Sequence, residues 1–421
     1  MRDGSVAVRD GVITAAGPAV AVATAEPDLP CEDLGAAVLL PGLVDVHCHL
    51  EWSLLEGLLP AGAFAPWLSA LLALRARQRP DDHAVAADAA ALRCLEAGTT
   101  TVADSGPTGA GVGALERAGL RGVVFLETFS RATGVAARIE AAQVADRLET
   151  LAASAGAPVE VGLSPHAPYS VGPEYWGALA EDARLAGRRW ATHLAESAEE
   201  RAAIGAGDGP VADAFAEIGA VPGRWPGPNG ASPVGRLAAA GALRAGLVAA
   251  HCVHLDDPDP ALLSRAGVAV AHCPTSNVFL GCGRMPIERL RHAGVVVGLG
   301  SDSPASGGGY DLRAEARACL ELQEDHAPSA EALVRLATLG GARALGLDDR
   351  IGSLVPGKRG DLLAVVPRHD DGDPCAMVLH GEASVTLVAI DGQPVVEAGR
   401  ALRADREAVL TRAARARERL C

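Results

Sequence analysis

A repeated alternation constrains this chain more than any other feature. Eight short apolar, β-rich runs are separated by longer segments, several with clear helical periodicity. The first run climbs through Val38-Leu39-Leu40-Pro41-Gly42-Leu43-Val44-Asp45-Val46 to His47-Cys48-His49, and the rest span 99–103, 122–127, 159–164, 189–192, 246–250, 267–271 and 295–300. Helical spacing of apolar residues is clearest over 82–97, 136–153 and 173–186. Strands alternating with helices imply a parallel α/β fold. Eight such units favour a distorted (β/α)8 TIM barrel, whose chemistry gathers at the C-terminal ends of the strands. A doubly wound sheet is the competing fold, but it needs a glycine-rich phosphate turn directly after a strand. Gly205-Ala206-Gly207-Asp208-Gly209 does not follow one and reads as loop.

Outside the alternation, both chain ends read as short strands: Gly4 to Val8 and Val12 to Gly17 at the start, and Asp361 to Val366, Val385 to Gly392 and Pro394 to Val396 near the end. The expected organisation is residues 1–40 as one part of a small β-sandwich, 41–350 as the barrel, and 351–421 as the rest of the sandwich plus a terminal helix. The basic run Arg412 to Arg419 reads as a solvated helix face.

With 421 residues and 49% apolar content, the chain has ample material for one large core. Its formal net charge of -15, with no basic stripe interleaved with aromatics, argues against nucleic-acid polymers as partners. No run of eighteen apolar residues and no signal-peptide order at Met1-Arg2-Asp3-Gly4 point to a protein without membrane association. Nine cysteines without framework spacing suit a reducing compartment. The expectation is a cytoplasmic protein acting on a small-molecule substrate, with a homo-oligomer left open.

Two histidines one residue apart on a strand face the same way and can grip one metal ion. The 12 histidines of this chain would give roughly 0.3 such pairs by chance, so the remaining strand ends decide the matter. His166 ends the fourth strand, His193 the fifth, His251 the sixth, His272 the seventh, and Asp302 follows the eighth. His272 and His254 read as structural residues. Asp302 also has a reading as a helix cap, since Ser303-Pro304 resembles a helix start. The only lysine, Lys358, lies outside the barrel, so a carboxylated barrel lysine bridging two metals is impossible. The simplest centre is one divalent ion, Zn2+ before Fe2+, held by His47, His49, His193 and Asp302. Two other zinc patterns are missing: Pro374-Cys375 has no second cysteine at the required spacing, and there is no His-Glu-x-x-His helix.

Together, the run Pro41 to His49, the HLAES segment from His193 to Ser197, HCVHL from His251, HCPTSN from His272, GLGSD from Gly298 to Asp302 and the closing Gly352 to Leu362 pattern resemble the amidohydrolase superfamily, in its cytosine-deaminase-like and chlorohydrolase-like branch. Cys48 and Ser301 stand where many relatives have Thr. The resemblance implies hydrolytic removal of a ring amine by one zinc or iron, with Glu196 protonating a ring nitrogen, His251 orienting hydroxide, and Asp302 accepting and returning a proton. The segments His49 to Ser53, Pro165 to Ser170 and Gly298 to Ser306 resemble those of adenosine-type deaminases, nearest those acting on 6-aminodeoxyfutalosine in menaquinone biosynthesis. S-Adenosylhomocysteine and methylthioadenosine deaminases come next, then guanine deaminases and triazine or chloro-hydrolases. A cyclic-amide hydrolase and an inactive metal-binding barrel are weaker readings. Expected substrate contacts are Glu51 (a ribose hydroxyl or ring amine), Trp52 (stacking on the base), His166 and Ser303. The stretch 205–233 is a candidate lid or a plain surface loop.

Overall fold

The computed structural model describes residues 1–217, 224–228, 230–323, 328–370 and 372–421. A hairpin of β1 (Gly4–Arg9) and β2 (Val12–Pro18) opens the chain, and β3 (Val38–Pro41) leads to the barrel. Eight parallel strands then follow in spatial order: β4 (Leu43–Cys48), β5 (Thr99–Gly106), β6 (Arg121–Thr128), β7 (Val159–Pro165), β8 (Trp190–Leu194), β9 (Leu247–His251), β10 (Ala269–His272) and β11 (Val297–Leu299). Each strand pairs with its neighbour in sequence, the order of a (β/α)8 barrel.

Closure between β11 and β4 is made by few bonds. Cys48 bridges Asp302, with the Asp302 N–H donating to the His47 carbonyl at 2.9 Å and the His49 N–H donating to the Asp302 carbonyl at 2.9 Å. Beneath them, Asp45 accepts from the Ser301 N–H at 3.1 Å and from its hydroxyl at 2.5 Å. Gly300 allows this approach, because a Cβ there would lie 2.9 Å from the His47 carbonyl oxygen and 3.0 Å from Cys273 Sγ.

Side-chain alternation separates two cores. Val44, Val46, Val123, Phe125, Val248 and Ala271 fill the barrel interior, while Leu43, Cys48, Val102, Val124 and Leu163 pack outward in the larger core shared with the helices. Strand β4 breaks its own alternation. Asp45 pairs with Val102 but Cys48 with Asp104, so β4 carries one extra residue, a β-bulge. Val46 therefore faces inward while Cys48 faces out, and His47 and His49 turn towards the mouth.

The closing segment supplies β12 (Leu362–Val366), β13 (Ser384–Ile390), β14 (Gln393–Glu397) and β15 (Arg400–Ala401), which with β3 form a five-stranded antiparallel sheet in the order β15-β14-β13-β12-β3. Arg121, at the start of β6, donates to Asp361 and Asp391 and ties this sheet to the barrel floor. The last helix, Arg406–Glu418, buries Val409 against Ala89 and Leu92, and its arginines reach Asp88 and Glu96.

Two local expectations need correction. The helix starting at Pro173 ends at Glu181, because Asp182 accepts the Arg184 N–H at 2.9 Å and competes with further helical bonding. The stretch 205–233 is not plain loop: Pro210–Glu217 is a helix whose Val211, Ala212, Ala214 and Phe215 are buried. Residues 218–223 and 229 of that stretch lie outside the described residues.

Candidate active site

His47, His49 and His193 each present a ring nitrogen, and these atoms lie within 4.8 Å of one another. The His49 and His193 rings stand parallel at 5.2 Å, and His47 is edge-on to both at 4.8 Å. Their protonation follows from their partners. His49 Nδ1 lies 2.7 Å from the Ser105 carbonyl and His193 Nδ1 lies 2.8 Å from the His166 carbonyl. A carbonyl only accepts, so each Nδ1 carries its proton and each Nε2 presents a lone pair. Those two Nε2 atoms face each other at 3.1 Å, and His47 Nε2 is buried without a hydrogen-bond partner. Burial and the mutual repulsion of the cluster push His47 and His193 well below the ordinary histidine range, so neither imidazole relieves the contact by taking up a proton. Three converging nitrogen lone pairs fit a divalent cation of borderline softness.

Asp302 adds a carboxylate to this cluster. Its Oδ1 is 3.4 Å from His49 Nε2 and 3.7 Å from His47 Nε2. Its Oδ2 accepts the hydroxyls of Ser276 at 2.5 Å and Ser306 at 2.9 Å. Burial opposes the charge, yet His49, His251 and the Ser276 hydroxyl outweigh it and hold the carboxyl below its ordinary range. The residue sits at φ +54°, a left-handed conformation that is costly for a side chain with a Cβ and here carries the carboxylate across the strand ends.

His251, at φ +72°, is held by Asn277 at 2.9 Å from its Nδ1 and turns Nε2 to within 3.6 Å of Glu196 Oε1. Glu196 is buried, and burial followed by the Asp302 charge raises its carboxyl well above the usual range. The Glu196 N–H donates to the Glu200 carboxyl at 2.9 Å, at the start of the helix Ala198–Gly205. Two neighbouring carboxyls are thus pushed in opposite directions, Glu196 towards the acid and Asp302 towards the base.

His166 is half-buried, its ring 4.6 Å from His193, with Nδ1 2.7 Å from the Ser170 hydroxyl. Three residues expected at the substrate do other work. Glu51 is fully buried; its Oε1 accepts the N–H groups of Thr108, Gly109 and Ala110 at 3.2, 3.0 and 3.3 Å, and its Oε2 is 3.0 Å from His83 Nδ1. It anchors the loop after β5. Ser303 caps the 3-10 turn Pro304–Ser306, accepting the Ala305 N–H at 3.0 Å. Trp52 is buried, with the Arg75 guanidinium 4.6 Å over its ring, so it supports the wall.

The structure adds Glu127, which sequence reasoning passed over. It ends the inward course of β6, with Oε1 buried, unpartnered and 4.0 Å from His49 Nδ1; burial raises its pKa to about 7. With His166 and His193 it forms a second grouping of potential metal ligands within 4.8 Å. His193 has only one nitrogen left, which already faces His49, so both groupings draw on one ligand atom. Its signal in the sequence is a carboxylate closing the apolar run 122–127.

A profile of the amidohydrolase family matches residues 38–395. A protein of Pelotomaculum thermopropionicum named 5-methylthioadenosine/S-adenosylhomocysteine deaminase is 32% identical over 433 residues, 98% of this chain and 93% of its own. A zinc-bound adenosine deaminase from Xanthomonas campestris is 26% identical with a TM-score of 0.81, covering 100% of this chain and 94% of its own. Aminofutalosine deaminase from Helicobacter pylori, 22% identical with a TM-score of 0.79 over 94% of this chain and 96% of its own, shares the fold. The chain belongs to the amidohydrolase family.

Proposed function

We propose that this protein hydrolytically deaminates the six-membered ring of an adenosine-type nucleoside, releasing ammonia. The observation that carries the reading is the arrangement of a buried Glu196 carboxyl, raised by burial and 3.6 Å from His251 Nε2, facing a three-histidine cluster joined by Asp302, whose carboxyl is held low. In an aminated heterocycle such an acid protonates the ring nitrogen next to the carbon under attack, whereas amide hydrolysis needs its acid only at the departing nitrogen. The names of the relatives support the same class, and 6-aminodeoxyfutalosine, S-adenosylhomocysteine and methylthioadenosine are the substrates to compare.

His47, His49, His193 and Asp302 would hold a zinc or iron ion, which would supply hydroxide from water near neutral pH, with a water pKa of about 7. Asp302, whose plane is fixed by the Ser276 and Ser306 hydroxyls, takes the water proton on its carboxylate. Glu196 gives its proton to the ring nitrogen and makes the adjacent carbon electrophilic. His251 lies between them and orients the incoming oxygen. As the carbon–nitrogen bond breaks, Asp302 passes its proton to the departing amine, and Glu196 recovers one from the new hydroxyl as the ring carbonyl forms. Each positioned proton transfer contributes roughly 10² to 10⁴ in rate.

The test is Glu196→Gln in metal-loaded protein, followed by ammonia release and the change of the adenine chromophore. A fall in kcat of about 10² to 10⁴ with unchanged metal content is expected. Near-wild-type deamination by the variant removes Glu196 from this role.

A further inference from the structure

We infer that Arg75 is a specificity residue that recognises a carboxylate carried by the substrate at a distance from its ring amine, so that the protein prefers anionic nucleosides. This rests on the deaminase reading. Arg75 closes the helix Phe64–Arg75, where the negative end of the helix dipole favours a cation. Its guanidinium carbon lies 4.6 Å over the Trp52 ring and 5.4 Å from the Phe129 ring. Among the described residues its side chain makes no hydrogen bond and no ion pair, although it is only partly exposed. The two carboxylates whose fields it feels, Glu127 and Glu51, leave it unpaired. Glu51 is spent on three backbone N–H groups.

A guanidinium held between two aromatic faces has lost its freedom before any ligand arrives, and its planar fork of donors matches a carboxylate. Its position matches the far end of a nucleoside. Phe129, 39% exposed, lies 4.7 Å from the His166 ring, and His166 lies 4.6 Å from His193. From the metal cluster outward the order is therefore His193, His166, Phe129, Arg75. A purine-like ring at the cluster directs its sugar and 5′-substituent along that line, and the unpaired fork is the donor it meets. The exposed Phe129 ring and the Arg75 fork, backed by the buried Trp52, thus fit a 5′-extension ending in an organic acid.

The test uses matched probes: adenosine carrying a 5′-carboxyalkylthio arm, and the same nucleoside with the arm as its neutral carboxamide. For the wild-type enzyme kcat/KM should favour the acid by about 10²-fold, chiefly through KM, since a charge pair bound alike in ground and transition states acts on KM. Arg75→Met should reduce that ratio to about one, and Arg75→Lys, which keeps the charge but loses the fork, should leave an intermediate ratio. Deamination that is blind to charge in the wild type, or an acid-to-amide ratio unchanged in Arg75→Met, overturns the inference while the deaminase reading stands. A purely packing role for Arg75 gives that same unchanged ratio, with a lowered Tm. Failure of every probe, and of unsubstituted adenosine, to release ammonia overturns the deaminase reading and this inference with it.

Discussion

Asp302 divides its work between two oxygens. Oδ2 is occupied by two serine hydroxyls, which fixes the carboxylate plane and leaves Oδ1 facing His47 and His49. Glu196, across the site, has little polar support and is raised by burial and by the charge of Asp302 itself. The pH dependence follows with opposite signs. On the proposed reading Glu196 acts while protonated, so kcat/KM should be lost on the alkaline side as pH rises through its raised pKa. On the same reading Asp302 acts while ionised and, being held low, stays so near neutrality, which leaves the acid-side loss to protonation of the hydroxide below pH about 7. A pH–rate profile should therefore rise through pH about 7 to a plateau above it, with an alkaline limb that disappears together with the activity assigned to Glu196 in Glu196→Gln. A profile that rises from acid through neutral pH without an alkaline limb contradicts the acid role.

At the scale of elements, the site depends on how β4 and β11 meet. The bulge between Asp45 and Cys48 turns the two histidines to the mouth, and the bridge from Cys48 to Asp302 brings the carboxylate to them through backbone bonds. Adding one methyl group at this seam tests the dependence. Gly300→Ala should cost about 1–3 kcal/mol by overpacking against His47 and Cys273. It should also weaken metal retention more than an equally destabilising change in the outer core, as measured by Tm and by metal release to a chelator. Equal retention in the two variants separates the seam from the site.

The eight strands were legible because each is a short apolar run, and the strand-end histidines because imidazoles are scarce in such runs. The bulge was not, since simple alternation already puts His47 and His49 on one face and gives no sign that Val46 departs from it. Glu51 and Ser303 misled for a related reason. Neighbourhood in sequence to a ligand says nothing about which backbone N–H groups a side chain will meet, and those came from a loop 57 to 59 residues away for Glu51. Arg75 ends the helix Phe64–Arg75, and only the fold brings it beside Phe129.

Over the whole molecule, the barrel holds the chemistry at one end while Arg121, Asp361 and Asp391 fasten the antiparallel sheet at the other. The formal charge of -15 sets a general field that disfavours anions. An anionic substrate therefore needs a local cation, and Arg75 is placed to be one. Among the described residues no helix is long and apolar enough to cross a membrane. The central claim is that one metal ion, gripped where β4, β8 and β11 converge, performs a hydrolytic deamination. The most direct test is to strip the protein of metal and titrate it with zinc while recording ammonia release from an adenosine-type nucleoside. The account predicts activity that climbs linearly and levels off at about one equivalent of zinc per chain, the stoichiometry of a three-histidine, one-carboxylate centre. A plateau at about two equivalents, or no ammonia at any loading, would contradict it.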